Sequence, residues 1–178
     1  MKHRLLSAFV FTAALFGCSR AVELSAPVPA EATDSLVVVF VRHAEKAGPG
    51  DDAPLTEDGK ARARLLARTL RSTSITRVHS SNYVRTLETA APIAKTLETS
   101  VERYDARDLP TLIEKLRSVG GRHLVVGHSN TTPAAVRLLG GNPGSSIGSL
   151  EYDRLYIVTV SSDDKTTTVM LRYGEASD

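Results

Sequence analysis

Only one cysteine, Cys18, occurs in the 178 residues, and tryptophan is absent. A single thiol excludes an internal disulfide framework and any zinc site built from several cysteines. Aromatic residues make up 5% of the chain, so aliphatic side chains must build most of the core. An excess of charge of one sign is also missing. The formal net charge of +2 is too small to imply a nucleic-acid or polyanion partner. No repeat of solenoid period is visible, and no apolar run is long enough to cross a bilayer comfortably. What is present, 42% hydrophobic and 24% charged residues, describes one soluble globular domain.

The beginning of the chain is a separate matter. Lys2 and Arg4 form a short basic region, and Leu5 to Phe16 is apolar apart from Ser7 and Thr12. A basic start followed by a short apolar run reads as a secretory signal. Leu15-Phe16-Gly17-Cys18 resembles the bacterial lipobox. That resemblance implies cleavage before Cys18 and lipid attachment there, and Ser19 after it implies the outer membrane, on the periplasmic face. The plainer alternative is a secreted protein whose Cys18 carries no lipid. Residues 1–17 are thus expected to be a lipoprotein signal, 18–35 a lipid-anchored tether carrying Pro27 and Pro29, and 36–178 the folded domain. Cleavage removes Lys2 and Arg4 and brings the formal charge to zero. Two or three acyl chains would hold the protein to a membrane through Cys18.

In the folded part, Leu36 to Val41 (LVVVFV) is a continuous apolar run, suited to a strand buried on both faces. Leu55-Thr56-Glu57-Asp58 opens a helix with Thr56 as N-cap and acids in the first turn. Ala61, Leu65, Leu66 and Leu70 should face the core, and Arg62, Arg64, Arg68 and Arg71 should keep to water. A strand follows at Ile75 to His79. Asn82 to Leu97 is helical, with Leu87, Ala90, Ala91, Ala94 and Leu97 at core spacing and Pro92 expected to kink or restart it. A weak strand at Val101 to Tyr104 precedes a helix over Pro110 to Val119, closed by Gly120-Gly121. Leu124 to Val126 is a buried strand, and Thr132-Pro133 starts a fourth helix. Leu155 to Val160 and Thr167 to Leu171 flank a turn, as in a terminal hairpin. This order predicts a three-layer α/β/α sandwich with a mostly parallel sheet and a C-terminal antiparallel hairpin. Ligands then bind outside the carboxyl ends of the strands.

Those strand ends carry chemistry. The first ends in Arg42-His43, the second leads through Ser80-Ser81 into Tyr83 and Arg85-Thr86, and the late central strand ends in Gly127-His128-Ser129-Asn130. Guanidinium forks bind phosphate bidentately at any working pH. One neutral imidazole can attack phosphorus and a second, protonated, can bind the phosphoryl oxygens. These are the parts of phosphoryl transfer without a metal or other cofactor.

Val41-Arg42-His43-Ala44-Glu45-Lys46, Pro54-Leu55-Thr56-Glu57-Asp58-Gly59, Ser80-Ser81 with Arg85-Thr86, and Gly127-His128-Ser129-Asn130 together resemble the histidine phosphatase superfamily. This is the phosphoglycerate-mutase-like fold, here in its small bacterial branch with the Arg-His-x-Glu-Lys sequence. The resemblance covers Leu36 to Leu171. It implies that His43 is the nucleophile that becomes phosphohistidine and that Arg42, Arg85 and His128 bind the phosphoryl group. It further implies a substrate contact for Asn130 and a general acid after the third strand, where Asp105 stands and Asp108 is close. Ala44 takes the place of the family's usual glycine. If Asp105 is not the acid, phosphorylated imidazoles and phosphoanhydrides become better substrates than alkyl phosphates.

Other readings are weaker. Gly127-His128-Ser129-Asn130-Thr131 partly mimics a serine-hydrolase elbow, but no histidine follows His128. A metal site from His43, Glu45, His79 and His128 lacks ligand spacing. A non-catalytic phosphate-binding envelope lipoprotein and a phosphomutase remain as alternatives to a phosphatase. The partner expected is a small phosphorylated substrate. Ala47 to Ala53 and Gly140 to Ser149 are the loops expected to select it, and neither carries a signature.

Overall fold

A computed structural model of the chain describes residues 35–50 and 52–177. The expected signal, Cys18 and all of the tether except Ser35 lie outside the described residues. Six strands alternate with four helices: β1 (Leu36–Arg42), α1 (Glu57–Leu70), β2 (Arg77–Ser81), α2 (Val84–Thr96), β3 (Val101–Tyr104), α3 (Leu109–Val119), β4 (Arg122–Gly127), α4 (Thr131–Leu138), β5 (Arg154–Val160) and β6 (Thr166–Arg172). They form one sheet of order β3-β2-β4-β1-β5-β6. The first four in that order are parallel, and β5 and β6 add an antiparallel hairpin. No helix among the described residues is long and apolar enough to cross a membrane.

The apolar run of β1 is central, between β4 and β5, and it alternates between two cores. Val38 and Phe40 pack with Leu112, Leu116 and Val136 of α3 and α4. Val39 and Val41 pack with Leu66, Leu70, Ala90 and Ile93 of α1 and α2. That division makes the three layers expected from the element order.

Helix faces depart from expectation in two places. The buried face of α1 is Arg62, Ala63, Leu66, Ala67 and Leu70, while Ala61 is exposed. Arg62, expected in water, is buried because Glu45 and the C-terminal tail use its guanidinium. Nε donates to Glu45 Oε1 at 2.7 Å, Nη1 to the Tyr173 carbonyl at 2.9 Å and Nη2 to the Glu175 carbonyl at 3.1 Å. In α2, Ala91 is exposed, and the helix runs through Pro92 without a break. Proline removes only its own donor. Burial of Ala90, Ile93 and Ala94 against the sheet keeps the flanking turns helical, and Thr96 Oγ1 donates to the Pro92 carbonyl at 2.9 Å.

The Leu55–Gly59 segment explains itself structurally. Thr56 Oγ1 accepts from the Gly59 N–H at 3.0 Å, the expected N-cap. The Thr56 N–H donates to the Glu45 carbonyl at 2.9 Å. A Cβ on Gly59 would lie 2.2 Å from that same carbonyl oxygen. Gly59 therefore lets α1 press directly on the turn that follows His43. Gly59→Ala should cost roughly 2 kcal/mol or more through overpacking, read as a lower urea midpoint at unchanged slope.

Behind the sheet ends lies a buried histidine pair. His123 Nε2–H donates to the Gly120 carbonyl at 2.7 Å, so its Nδ1 accepts from His79 Nε2–H at 3.0 Å. Burial lowers the His79 pKa to about 4, against the pull of Glu102, and lowers that of His123 as well. The unfolded chain therefore takes up these protons first, near an ordinary histidine pKa of about 6.5. Their contribution to stability is complete above that pH and is lost as pH falls toward about 4. Thermal unfolding should show a midpoint that is flat above neutrality and declines through this window, with a shallower decline in His79→Leu.

Candidate active site

Three strand ends and two helix starts meet at one rim. Arg42 and His43 leave β1, Arg85 opens α2 just after β2, and His128 to Asn130 link β4 to α4. A cavity of about 370 Å³ is lined there by Arg42, His43, Arg85, His128 and Asn130 among others. All five of these expected phosphate-site residues thus come together, from positions up to 88 residues apart.

The orientation of His43 is defined by its hydrogen bond. A carbonyl oxygen can only accept, so the 2.7 Å contact to the Ala44 carbonyl places a proton on Nδ1. In the neutral ring Nε2 then carries the lone pair. Burial, with the nearby charges of Arg42 and Arg85, lowers the His43 pKa to about 3 despite the opposing Ala44 hydrogen bond. The ring is neutral at any physiological pH. Its backbone is fixed by the His43 N–H donating to the Gly127 carbonyl at 2.9 Å. Thr89 Oγ1 accepts the Ala44 N–H at 3.0 Å while donating to the Arg85 carbonyl at 2.7 Å. Alanine at position 44 is fully buried and accommodated in this turn.

Arg42 is held by a loop. Nη1 donates to the Gly148 and Glu151 carbonyls at 2.8 and 2.9 Å, and Nη2 to the Ser149 carbonyl at 2.9 Å. Its Cζ lies 4.1 Å from the centre of the Tyr152 ring. Three of its five N–H donors are used in this way. Nε is buried with no hydrogen-bond partner among the described residues. Nε–H and the outer Nη2–H form the parallel-donor edge that fits two oxygens of one phosphoryl group. The end of the loop at Gly140 to Ser149 holds Arg42 through the Gly148 and Ser149 carbonyls.

His128 is oriented by Ser81. The Ser81 hydroxyl donates to Thr86 Oγ1 at 3.0 Å, so it accepts from His128 Nε2–H at 2.9 Å. That turns Nδ1 toward Arg85, whose Nη2 lies 3.4 Å away. The His43 and His128 rings meet edge to face, with centroids 5.6 Å apart. Tyr83 flanks them, its ring 4.9 Å from that of His128 and 4.5 Å from Arg85 Cζ. Ser129, Asn130 and Thr131, at the start of α4, also line the cavity, where helix N–H groups favour an anion.

Asp105 is not brought to this cavity. Its Oδ1 accepts the Arg107 backbone N–H at 2.9 Å, and it lines a neighbouring cavity with Asn82, Arg103 and Tyr104. Asp108 caps α3 by accepting from the Thr111 N–H at 3.2 Å. Among the described residues no carboxylate lines the cavity that holds His43. Glu45 pairs with Arg62, and Glu88 Oε2 accepts the Leu55 N–H at 2.6 Å. Both acids brace the site from outside. Among the described residues no group of three or more His, Cys, Asp or Glu is placed to hold a metal ion.

Several contributors were not legible in the sequence. Ser81 belongs to a recognised motif but has no role assigned to it, and Tyr152 and the carbonyls of 148–151 carry no motif. The signal for Ser81 was its place at a strand end five residues before Thr86. No signal identifies backbone carbonyls as the partners of an arginine more than a hundred residues away.

The arrangement gathers two arginines and two histidines around one cavity on a phosphoglycerate-mutase-like sandwich. Residues 38–109 match the family model of the histidine phosphatase superfamily (branch 1). No curated protein sequence matches it significantly. Solved structures share the fold at low identity. The protein histidine phosphatase SixA, complexed with tungstate, is 22% identical, with a TM-score of 0.65, over 77% of this chain and 97% of that one. A mycobacterial glucosyl-3-phosphoglycerate phosphatase is 13% identical, with a TM-score of 0.63, over 80% and 100%. A phosphoglycerate mutase from Bacillus anthracis is 15% identical, with a TM-score of 0.60, over 80% and 94%.

Proposed function

We propose that this protein is a metal-independent phosphatase that works through a phosphohistidine on His43. The observation that carries the reading is the Nδ1–H bond to the Ala44 carbonyl, which leaves Nε2 as a neutral nucleophile in a cavity of guanidinium groups. In the first step Nε2 attacks phosphorus in line, the N–P bond forms, and the bond to the leaving group breaks. The Nε/Nη2 edge of Arg42, together with Arg85, neutralises the equatorial oxygens. As the phosphoryl anion binds, His128 Nδ1 takes up a proton from solvent and donates it in a hydrogen bond to a phosphoryl oxygen, while Nε2 stays on Ser81. Water then attacks phosphorus, the N–P bond breaks, and the electron pair returns to His43 Nε2.

The absence of a carboxylate in the cavity bears on substrate. General-acid help is worth roughly 10²–10⁴-fold for poor leaving groups. Without it, phosphoanhydrides, phosphoramidates and aryl phosphates are turned over in preference to alkyl phosphates. The name phosphohistidine phosphatase borne by some structural neighbours fits that class. Asp105 is not proposed as the acid. Asp105→Asn should lower turnover of an alkyl phosphate and of para-nitrophenyl phosphate by the same small factor. A selective loss on the alkyl ester would return Asp105 to that role.

The test of the phosphohistidine is direct. Rapid quench in alkali during turnover should give a protein heavier by one phosphoryl group at His43. That label should be stable in base and lost in acid. A label on serine, or turnover abolished by EDTA and restored by a divalent ion, would overturn the reading. Export and anchoring belong to the same proposal. Cys18→Ser should move the protein from the membrane fraction to the soluble one, and unchanged fractionation would remove the lipid.

A further inference from the structure

The cavity has two depths, and they differ in what they can bind. Arg42, His43 and Arg85 at its floor are buried, with 7%, 3% and 8% exposure. Lys46 and Arg107 line the same cavity, yet Lys46 is half-buried and Arg107 exposed. They therefore stand at its mouth. Lys46 comes from the turn after His43, where Nζ reaches the Gly50 carbonyl at 3.4 Å. Arg107 comes from the turn between β3 and α3, held there by Asp105 Oδ1 on its backbone N–H. Among the described residues neither side chain forms an ion pair.

In-line displacement links these depths. If His43 attacks from the floor, the leaving group must depart on the far side of phosphorus, toward the mouth. One phosphoryl group is already matched by the two floor arginines. The mouth cations are then left for the leaving group, and among the described residues no carboxylate stands there to protonate it. We propose that Lys46 and Arg107 form a leaving-group subsite for a second phosphate, which makes the preferred substrates terminal phosphoanhydrides such as pyrophosphate or a nucleoside diphosphate. This inference rests on the proposed phosphohistidine mechanism and narrows its substrate class.

The chemistry balances without an acid. For singly protonated pyrophosphate, His43 Nε2 bonds to one phosphorus while the bridging P–O bond breaks toward the other. The departing group is hydrogen phosphate, a dianion that takes along the proton it already carried. Water then cleaves the N–P bond, and both its protons leave with dihydrogen phosphate. An alkoxide would need a proton that no cavity carboxylate supplies. A protonated phosphoimidazole would carry positive charge past Lys46 and Arg107, where like charges repel.

Turnover of pyrophosphate, phosphoramidate and para-nitrophenyl phosphate should be compared in the wild type, Arg107→Ala, Arg107→Lys and Lys46→Ala/Arg107→Ala. In the wild type kcat/KM should be highest for pyrophosphate. In the double variant the ratio of kcat/KM for pyrophosphate to that for para-nitrophenyl phosphate should fall about a hundredfold or more, the combined effect of two lost charge-assisted hydrogen bonds. Arg107→Lys should restore part of the ratio. A ratio unchanged across the variants, or a wild-type preference for phosphoramidate, would overturn the subsite while leaving the phosphohistidine mechanism standing. Turnover of all three substrates surviving in His43→Ala would overturn the mechanism itself.

Discussion

His43→Ala should lose at least about 10³-fold in turnover of para-nitrophenyl phosphate, because no other group replaces the attacking nitrogen. The variant should still bind inorganic phosphate. Arg42 remains held by the Gly148, Ser149 and Glu151 carbonyls, and His128 by Ser81. A loss of turnover without loss of phosphate affinity separates a nucleophile from a binding residue. Equal losses of both would indicate collapse of the cavity. Retained turnover would mean that the lone pair on Nε2 is not the one that reaches phosphorus.

The second large effect is expected at Arg42. Arg42→Lys keeps the charge but not the fork. An ammonium cannot satisfy three backbone carbonyls and also present two parallel donors to a phosphoryl group. The loss in kcat/KM should be about 10²-fold or more, the scale of removing a preorganised donor from a transition-state site. Stability should fall with it, since Gly148, Ser149 and Glu151 lose a shared donor. Steady-state kinetics and a urea titration of the same sample measure both. Full activity with lowered stability would make Arg42 a loop clamp and not a phosphate ligand.

The legible parts of this protein are those written in short segments. The continuous apolar run of Leu36 to Val41, the Thr56 cap and the glycine stop after Val119 each announce an element locally. Together they sufficed for the sandwich. Arg42, His43, Arg85 and His128 were legible because strand ends in a parallel sheet converge by topology. Burial of Arg62 was not, because its partners Glu45, Tyr173 and Glu175 come from distant segments. Continuity through Pro92 depended on tertiary packing that overrides a local helix breaker. Asp105 misled for a related reason. The resemblance places an acid after β3, where Asp105 stands, but its Oδ1 accepts the Arg107 N–H and its side chain lines the neighbouring cavity.

Glu151 shows how such long-range contacts support the site. It accepts from Arg154 Nε at 2.5 Å and lies 2.9 Å from Arg172 Nη2, which holds its carboxyl at about 2. Its carbonyl meets Arg42. The hairpin of β5 and β6 thus fixes the loop that fixes the Arg42 guanidinium. A sequence read element by element shows the hairpin but not this consequence.

The most direct measurement is a crystal structure of the protein grown with orthovanadate. A five-coordinate vanadium should be bonded to His43 Nε2 along its axis. Its equatorial oxygens should meet the Arg42 Nε/Nη2 edge, Arg85 and His128 Nδ1. Vanadate bound elsewhere, or seated in this cavity with His43 turned away and its Nδ1 off the Ala44 carbonyl, would contradict the assignment of His43 as the nucleophile.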